Sequence, residues 1–132
     1  MTIIFDHEKL KAYQTAIQFI VWLHPILENT PRKHAVHNQI DRSSTSIALN
    51  IAEGNGKYTG KDRCRYFDIA RGSALESASA LDILAAKGLI KPEETGAGKE
   101  MLREIVSMLI GLIKKQSKDR VYEEISGYGS DG

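Results

Sequence analysis

The chain holds a single cysteine, Cys64, in 132 residues. An internal disulfide framework is therefore excluded, and the usage suits a reducing compartment. It has only three prolines, and its β-branched residues are scattered instead of alternating with polar ones, so no strand pattern emerges. No apolar run reaches membrane length. The longest uncharged stretch, Ala12 to Leu27, is 16 residues and includes Gln14, Thr15, Gln18, His24 and Pro25, short of the roughly 20 apolar residues a spanning helix needs. The opening MTIIFDHEKLK places charges directly after a few apolar residues, which is not the pattern of a secretory signal. The expectation is one cytoplasmic domain with no membrane association, since 132 residues suffice for one core and not for two typical ones.

An excess of one charge is missing as well: 18 Lys/Arg face 17 Asp/Glu, a net +1. That balance hides an asymmetry. Residues 32–71 carry +4 and the remainder −3, so the middle is mildly basic and compatible with a polyanion as well as with a solvated mixed-charge surface. Catalytic and metal-binding constellations are also wanting. No glutamate has a histidine three residues on, as a di-iron bundle requires. His34 and His37 share i, i+3 spacing, yet no cysteine or carboxylate pattern completes a metal site, and an exposed first helical turn is the better reading. The loop GNGKYTGK fails as a phosphate cradle: Asn55 stands where a P-loop needs glycine, Asp62 follows Lys61, and no strand precedes it. Cys64 lies between Arg63 and Arg65 with no nearby histidine to act as a base. Trp22 reads as a core or subunit-contact aromatic. The chain is expected to be no enzyme and to need no cofactor.

What is present is helical periodicity. A first helix is expected over about 7–29, capped by Asp6, with Leu10, Tyr13, Ile17, Ile20, His24 and Leu27 as its apolar stripe, widened by Ala16 and Leu23. Pro25 should remove one hydrogen bond to Val21 and bend the last turn, and Thr30-Pro31 ends the element. A second helix over 34–54 turns Val36, Ile40, Ile47 and Ile51 inward and breaks at the glycines of EGNGKYTG. A third, over 61–87, stops at Gly88 and carries two apolar stripes, one through Phe67, Ala70, Ala74, Ala78, Leu81 and Leu84, the other through Tyr66, Ile69, Ala80 and Ile83. The fourth spans 99–120, with Leu102, Ile105, Val106, Leu109, Leu112 and Ile113 inward. Helices of this length joined by short connections predict an all-α, antiparallel up-down four-helix bundle over residues 1–124, followed by a disordered tail at 125–132. The wide apolar arc of the third helix predicts burial of a second face against another copy of the chain.

One stretch stands apart from this pattern. On the second helix Gln39, Arg42, Ser46, Asn50 and Glu53 step by 3, 4, 4 and 3 and share a face, with Ser43, Ala48 and Ala52 keeping neighbouring positions small. Leu and Ile usually supply a buried helical face, so small polar residues there predict the close approach of another backbone. A hairpin pivoting about Tyr58 would set Ser46 opposite Arg71–Gly72 and Arg42 opposite Glu76. It predicts an Arg42–Glu76 ion pair and a close contact at Gly72, which offsets the roughly 1 kcal/mol that glycine costs a helix interior. The stripe reads either as an interhelical network that sets register or as a ligand or nucleic-acid surface. Nearby, Lys57, Tyr58, Lys61, Arg63 and Arg65 interleave cations with an aromatic ring, which suits phosphates and stacked bases; Tyr66 and Arg71 extend the series.

Two blocks carry a family resemblance. QI-x-R-x-x-x-SI-x-x-NIAEG is matched by Gln39, Ile40, Arg42, Ser46, Ile47, Asn50, Ile51, Ala52, Glu53 and Gly54, and A-x-GS-x-x-E by Ala70, Gly72, Ser73 and Glu76. From about Phe5 to Lys115 the chain resembles the bacterial four helix bundle protein family, known from proteins encoded in intervening sequences of large-subunit ribosomal RNA genes. That family is similar to the accessory variability protein of diversity-generating retroelements, a pentameric barrel that binds RNA and a reverse transcriptase. The resemblance implies an antiparallel bundle, a homopentamer and nucleic-acid binding, without enzymatic activity. This chain departs from the retroelement relative in being nearly neutral where that protein is strongly basic. The leading expectation is a non-enzymatic homo-oligomeric assembly or interaction module with itself or another protein as partner. The alternative is an accessory protein that binds RNA or DNA through the basic 57–71 segment.

Overall fold

Four long segments of helical periodicity, separated by short breaks, become four helices. The computed structural model describes the backbone of residues 2–131 and the side chains of residues 2–116. Helices α1 (Lys11–Glu28), α2 (Ala35–Asn55), α3 (Gly60–Ala86) and α4 (Gly96–Asp131) follow in order, with single 3-10 turns at Asp6–Lys9 and Pro92–Thr95. There is no strand among the described residues. Each helix packs on two neighbours in a cycle, α1 on α2, α2 on α3, α3 on α4 and α4 on α1, while the backbones of α1 and α3 come nowhere within 8 Å Cα to Cα. The result is an antiparallel four-helix bundle in which α1 and α3 are diagonal.

The helix ends follow local chemistry. Thr59 caps α3 by accepting a hydrogen bond from the Asp62 N–H at 3.1 Å. Gly88 (φ 71°) ends it in the left-handed conformation, with Gly88 N–H donating to Ala85 O and Leu89 N–H to Leu84 O, the two bonds of a Schellman turn. Helix α4 begins before the expected Lys99 and continues past the expected stop at Arg120. The tail expected at 125–132 lies outside the residues whose side chains are described.

Helix α1 departs most from expectation. It starts at Lys11, because Leu10 is extended (φ −72°, ψ 126°) and the Glu8 carboxylate accepts hydrogen bonds from the Ile4 and Phe5 N–H groups at 2.6 and 2.7 Å. That clamp winds Asp6–Lys9 into a turn of its own. Asp6 accordingly does not cap the helix; it pairs with Lys9 at 3.4 Å and accepts from Asn55 Nδ2 at 2.9 Å, tying the N-terminal turn to the end of α2. Its carboxyl is held below the usual value by the Asn55 hydrogen bond first and by Lys9 second. Pro25 stays inside the helix, which continues to Glu28. The buried face is also rotated from the expected stripe. It runs through Ala12, Ala16, Phe19, Leu23 and Leu27, leaving Ile17 and Val21 exposed and His24 pairing with Glu28 on the surface. Both stripes have helical spacing, and Phe19, the largest fully buried side chain of α1, decides which of them faces inward.

The core is otherwise as the periodicity requires. Val36, Ile40, Ile47 and Ile51 of α2, Phe67, Ala70, Ala74, Leu81 and Leu84 of α3, and Leu102, Ile105 and Leu109 of α4 close on the α1 face as one cluster. His37 is a correction. It is buried, and its Nε2 lies 3.1 Å from Leu27 O. A carbonyl only accepts, so Nε2 is the donor of this bond, while Nδ1 is buried with no partner among the described residues. The residue fastens α2 to the end of α1 and is not part of an exposed first turn.

Candidate interaction surface

The seam between α2 and α3 gathers most of the polar motif. Ser43 Oγ and Ser77 Oγ lie 2.7 Å apart in the buried interior, and Ser46 Oγ and Ser73 Oγ lie 2.9 Å apart nearer the surface. Asn50 Nδ2 donates to Ser46 O at 2.8 Å and to Ser46 Oγ at 3.0 Å, which leaves the Ser46 hydroxyl proton free to point at Ser73. Direct serine–serine bridges at two levels require the backbones to approach closely, which Leu or Ile at these positions would prevent. The small polar run is therefore a register device, and Ser77 joins it although the sequence pattern did not single that residue out. Its signal was an α-helical step of four from Ser73.

The register differs from the expected one. The serine bridges pivot the hairpin about Thr59–Gly60 instead of Tyr58, because Gly56 ends α2 and Thr59 must precede α3 as its cap. Ser73 and Ser77 consequently face α2, and Gly72 turns outward: a Cβ there would meet nothing within 4 Å among the described residues. The close-contact glycines are instead Gly54 and Gly98. A Cβ on Gly54 would lie 2.9 Å from Tyr66 Cβ and 3.1 Å from the Phe67 ring, and one on Gly98 would enter the Trp22 ring. Gly54 thus remains inside α2 and permits the approach of α3; it does not break the helix.

Outside the serine bridges the seam opens into a shallow groove of about 640 Å³ lined by Gln39, Arg42, Ser46, Asn50, Ser73 and Glu76. Arg42 and Glu76 share the groove but form no ion pair within 4 Å, and both are exposed. The shifted register separates them. Gln39 and Glu53 are likewise exposed. The groove presents both charges and several amide and hydroxyl groups, a chemistry suited to a protein surface of mixed polarity.

The basic segment forms the tip of the α2–α3 hairpin. Tyr58 projects fully into solvent. Lys57 Nζ sits 4.9 Å from the Tyr66 ring centroid and Arg65 Cζ 5.4 Å from it, so two cations lie against the Tyr66 ring. Arg63 Nε donates to Lys57 O at 2.7 Å and closes the loop. Lys61 and Arg65 remain exposed. The fold adds two cations the sequence did not group with these. Cys64 Sγ meets Ile113 O at 3.6 Å, which brings the exposed Lys114 and Lys115 of α4 to the same end of the bundle. Among the described residues no cluster of His, Cys, Asp and Glu could hold a metal, and no helix is long and apolar enough to cross a membrane.

The fold has a counterpart among known proteins. A protein with unknown function from the S23 ribosomal protein family of Bacteroides thetaiotaomicron VPI-5482 is similar to this chain in its crystal structure, with 29% identity and a TM-score of 0.70 over 78% of this chain and 98% of that one. None of the curated proteins matches. The model of the 23S rRNA-intervening sequence protein family matches residues 8–111, a span that holds α1, α2, α3 and the serine-bridged seam. By that match the chain belongs to the 23S rRNA-intervening sequence protein family.

Proposed function

We propose that this chain is a non-enzymatic, cytoplasmic module that works by assembling with copies of itself into a closed oligomer. Family resemblance alone suggests five copies. The observation that carries the reading is the outward side of α3, where Ile69, Leu75 and Ile83 are 44%, 50% and 44% exposed. Three large aliphatic side chains along one surface helix are costly in water at about 25 cal/mol per Å² of apolar area, and a second copy removes that cost. The mixed-charge groove on the α2–α3 seam, with Arg42 and Glu76 both lacking an ion-pair partner among the described residues, supports a protein contact more than a phosphate one. The test is the native mass in solution at micromolar protein. A closed oligomer of fixed stoichiometry is expected, and a single-chain mass overturns the reading.

One observation favours a second reading, binding of single-stranded RNA. The tip of the hairpin joins a fully exposed Tyr58 to Lys61, Arg65, Lys114 and Lys115, which supplies a stacking ring beside phosphate-neutralising cations. Of the four cations in the 57–65 segment, however, Lys57 and Arg63 already serve their own chain. Binding on this reading is sequence-independent and falls steeply with salt, with a log–log slope of roughly −0.7 per contacted phosphate. No retention of labelled single-stranded RNA in low salt at micromolar protein eliminates it.

A further inference from the structure

We propose that Asn55 is a site of spontaneous deamidation, and that its conversion to aspartate or isoaspartate releases the N-terminal turn from α2. Of the four asparagines in the chain, Asn29, Asn38, Asn50 and Asn55, only the last precedes a glycine. The reaction requires the backbone nitrogen of the following residue to reach the asparagine Cγ. A following residue without a side chain leaves that nitrogen unshielded and its backbone free to turn. The site also stands where the chain opens most readily. Asn55 is the last residue of α2 and Gly56 is its cap. The Gly56 N–H is shared between Ala52 O at 3.3 Å and Glu53 O at 3.1 Å, the divided bond of a helix end. Gly56 is exposed and Asn55 half-buried, so water and hydroxide reach the pair.

The fold sets the rate. A helical side chain leans toward the helix N-terminus, and Asn55 Nδ2 donates to Asp6 Oδ2 at 2.9 Å. Both hold Cγ away from the Gly56 nitrogen, so the ring closes only when the end of α2 frays and Asp6 lets go. The Gly56 nitrogen then gives its proton to hydroxide and bonds to Asn55 Cγ. The Cγ–Nδ2 bond breaks, and Nδ2 takes a proton from water and leaves as ammonia, which leaves a cyclic imide. Water opens that imide at Cγ to give aspartate, or at the backbone carbonyl to give isoaspartate, whose chain runs through the former side chain. In sum one water enters and one ammonia leaves, with no oxidant or reductant.

The consequence falls on the turn at Asp6–Lys9. The Asn55 hydrogen bond is the first cause holding the Asp6 carboxyl below its ordinary value, so its acceptor is an ionised group at neutral pH. A carboxylate at residue 55 has no proton to donate and sets like charges together where that bond stood. It also adds negative charge at the C-terminal end of α2, where the helix dipole disfavours it. The turn therefore parts from α2 and stays on α1, where Gln14 Nε2 donates to Glu8 O at 2.9 Å. The change is irreversible and accumulates with the age of the molecule.

The test incubates the full wild-type chain in mildly alkaline buffer and maps aspartate and isoaspartate by peptide mass analysis. Residue 55 should convert well ahead of Asn29, Asn38 and Asn50, with ammonia released in step. Asp6→Ala should raise that rate by about two- to ten-fold, the factor by which one lost hydrogen bond favours local opening. Asn55→Asp supplies the aspartate product directly. Amide exchange of Glu8 and Leu10, whose N–H groups donate to Phe5 O and His7 O within the turn, should accelerate in that variant. Adding Asp6→Asn exchanges donor and acceptor and should restore the protection, which a simple loss of packing would not allow. If residue 55 converts no faster than the other asparagines, the modification site is wrong. An unchanged rate in Asp6→Ala overturns the restraint by Asp6. If Asn55→Asp leaves the turn protected, or Asp6→Asn restores nothing, the release is wrong.

Discussion

Ser43 and Ser77 meet across the buried seam of α2 and α3 with their hydroxyl oxygens 2.7 Å apart. Neither side chain reaches solvent to any extent, so the pair is a polar contact maintained inside an apolar core, where an unmade hydrogen bond is costly. It pairs α2 with α3 in one register and no other, since a slip of one residue breaks both serine bridges together.

Ser77→Ala should lower stability by about 0.5–1.5 kcal/mol, the usual net worth of a hydrogen bond; Ser43 retains a longer contact with Ile40 O at 3.3 Å. Ser77→Leu must force the helices apart and should cost about 1–3 kcal/mol or more. Urea unfolding followed by helical circular dichroism measures both. A Leu variant as stable as wild type would mean the seam has slack.

Gly54 and Gly72 should answer the same substitution in opposite directions. At Gly72→Ala the new methyl meets nothing within 4 Å among the described residues, and the gain in helix propensity stabilises the fold by about 0.5–1 kcal/mol. At Gly54→Ala the methyl lies 2.9 Å from Tyr66 Cβ, an atom fixed to the α3 backbone, so α3 has to move and the clash outweighs the propensity gain. Unfolding midpoints of the two variants bracketing that of the wild type is the expected result.

Trp22 is the sole tryptophan of the chain, and its ring covers Gly98. Gly98→Ala should expel the ring from this position, with a shift of the emission maximum to longer wavelength and a loss of stability on the order of 1–3 kcal/mol. Unchanged fluorescence would show that the ring can tilt aside within the fold.

The N-terminal turn should loosen in acid. The Glu8 carboxyl is held below its ordinary value of 4.5 because the Ile4 and Phe5 N–H groups donate to its ionised form. A depressed folded-state value means the clamp is complete above 4.5 and is lost as pH falls through the lower, folded value. Amide exchange of Ile4 and Phe5 should accelerate relative to the rest of the chain across that acidic window, and Glu8→Gln should show weakened protection already at neutral pH.

Helix number, order and approximate extent were legible in the residues, as were the inward faces of α2 and α4. Ile40, Ile47 and Ile51 have no competing apolar stripe on their helix, so periodicity names one face. On α1 two stripes of equal spacing compete, and nothing local prefers Phe19 over Ile17. The same ambiguity hid His37, whose burial depends on the end of α1 lying across it.

Local chemistry thus determined by itself that this chain is helical and where its helices break: propensity, Thr59 as a cap, Gly88 as a left-handed stop. The small polar run on α2 was also enough to announce a close neighbour. Which residues meet there was decided only by the tertiary structure. Interhelical register depends on how many residues the connecting loop consumes, and an error of one or two positions rotates a helix by 100° or more. That rotation exchanges Gly72 for Ser73 at the seam, parts Arg42 from Glu76, and moves the close-contact role to Gly54.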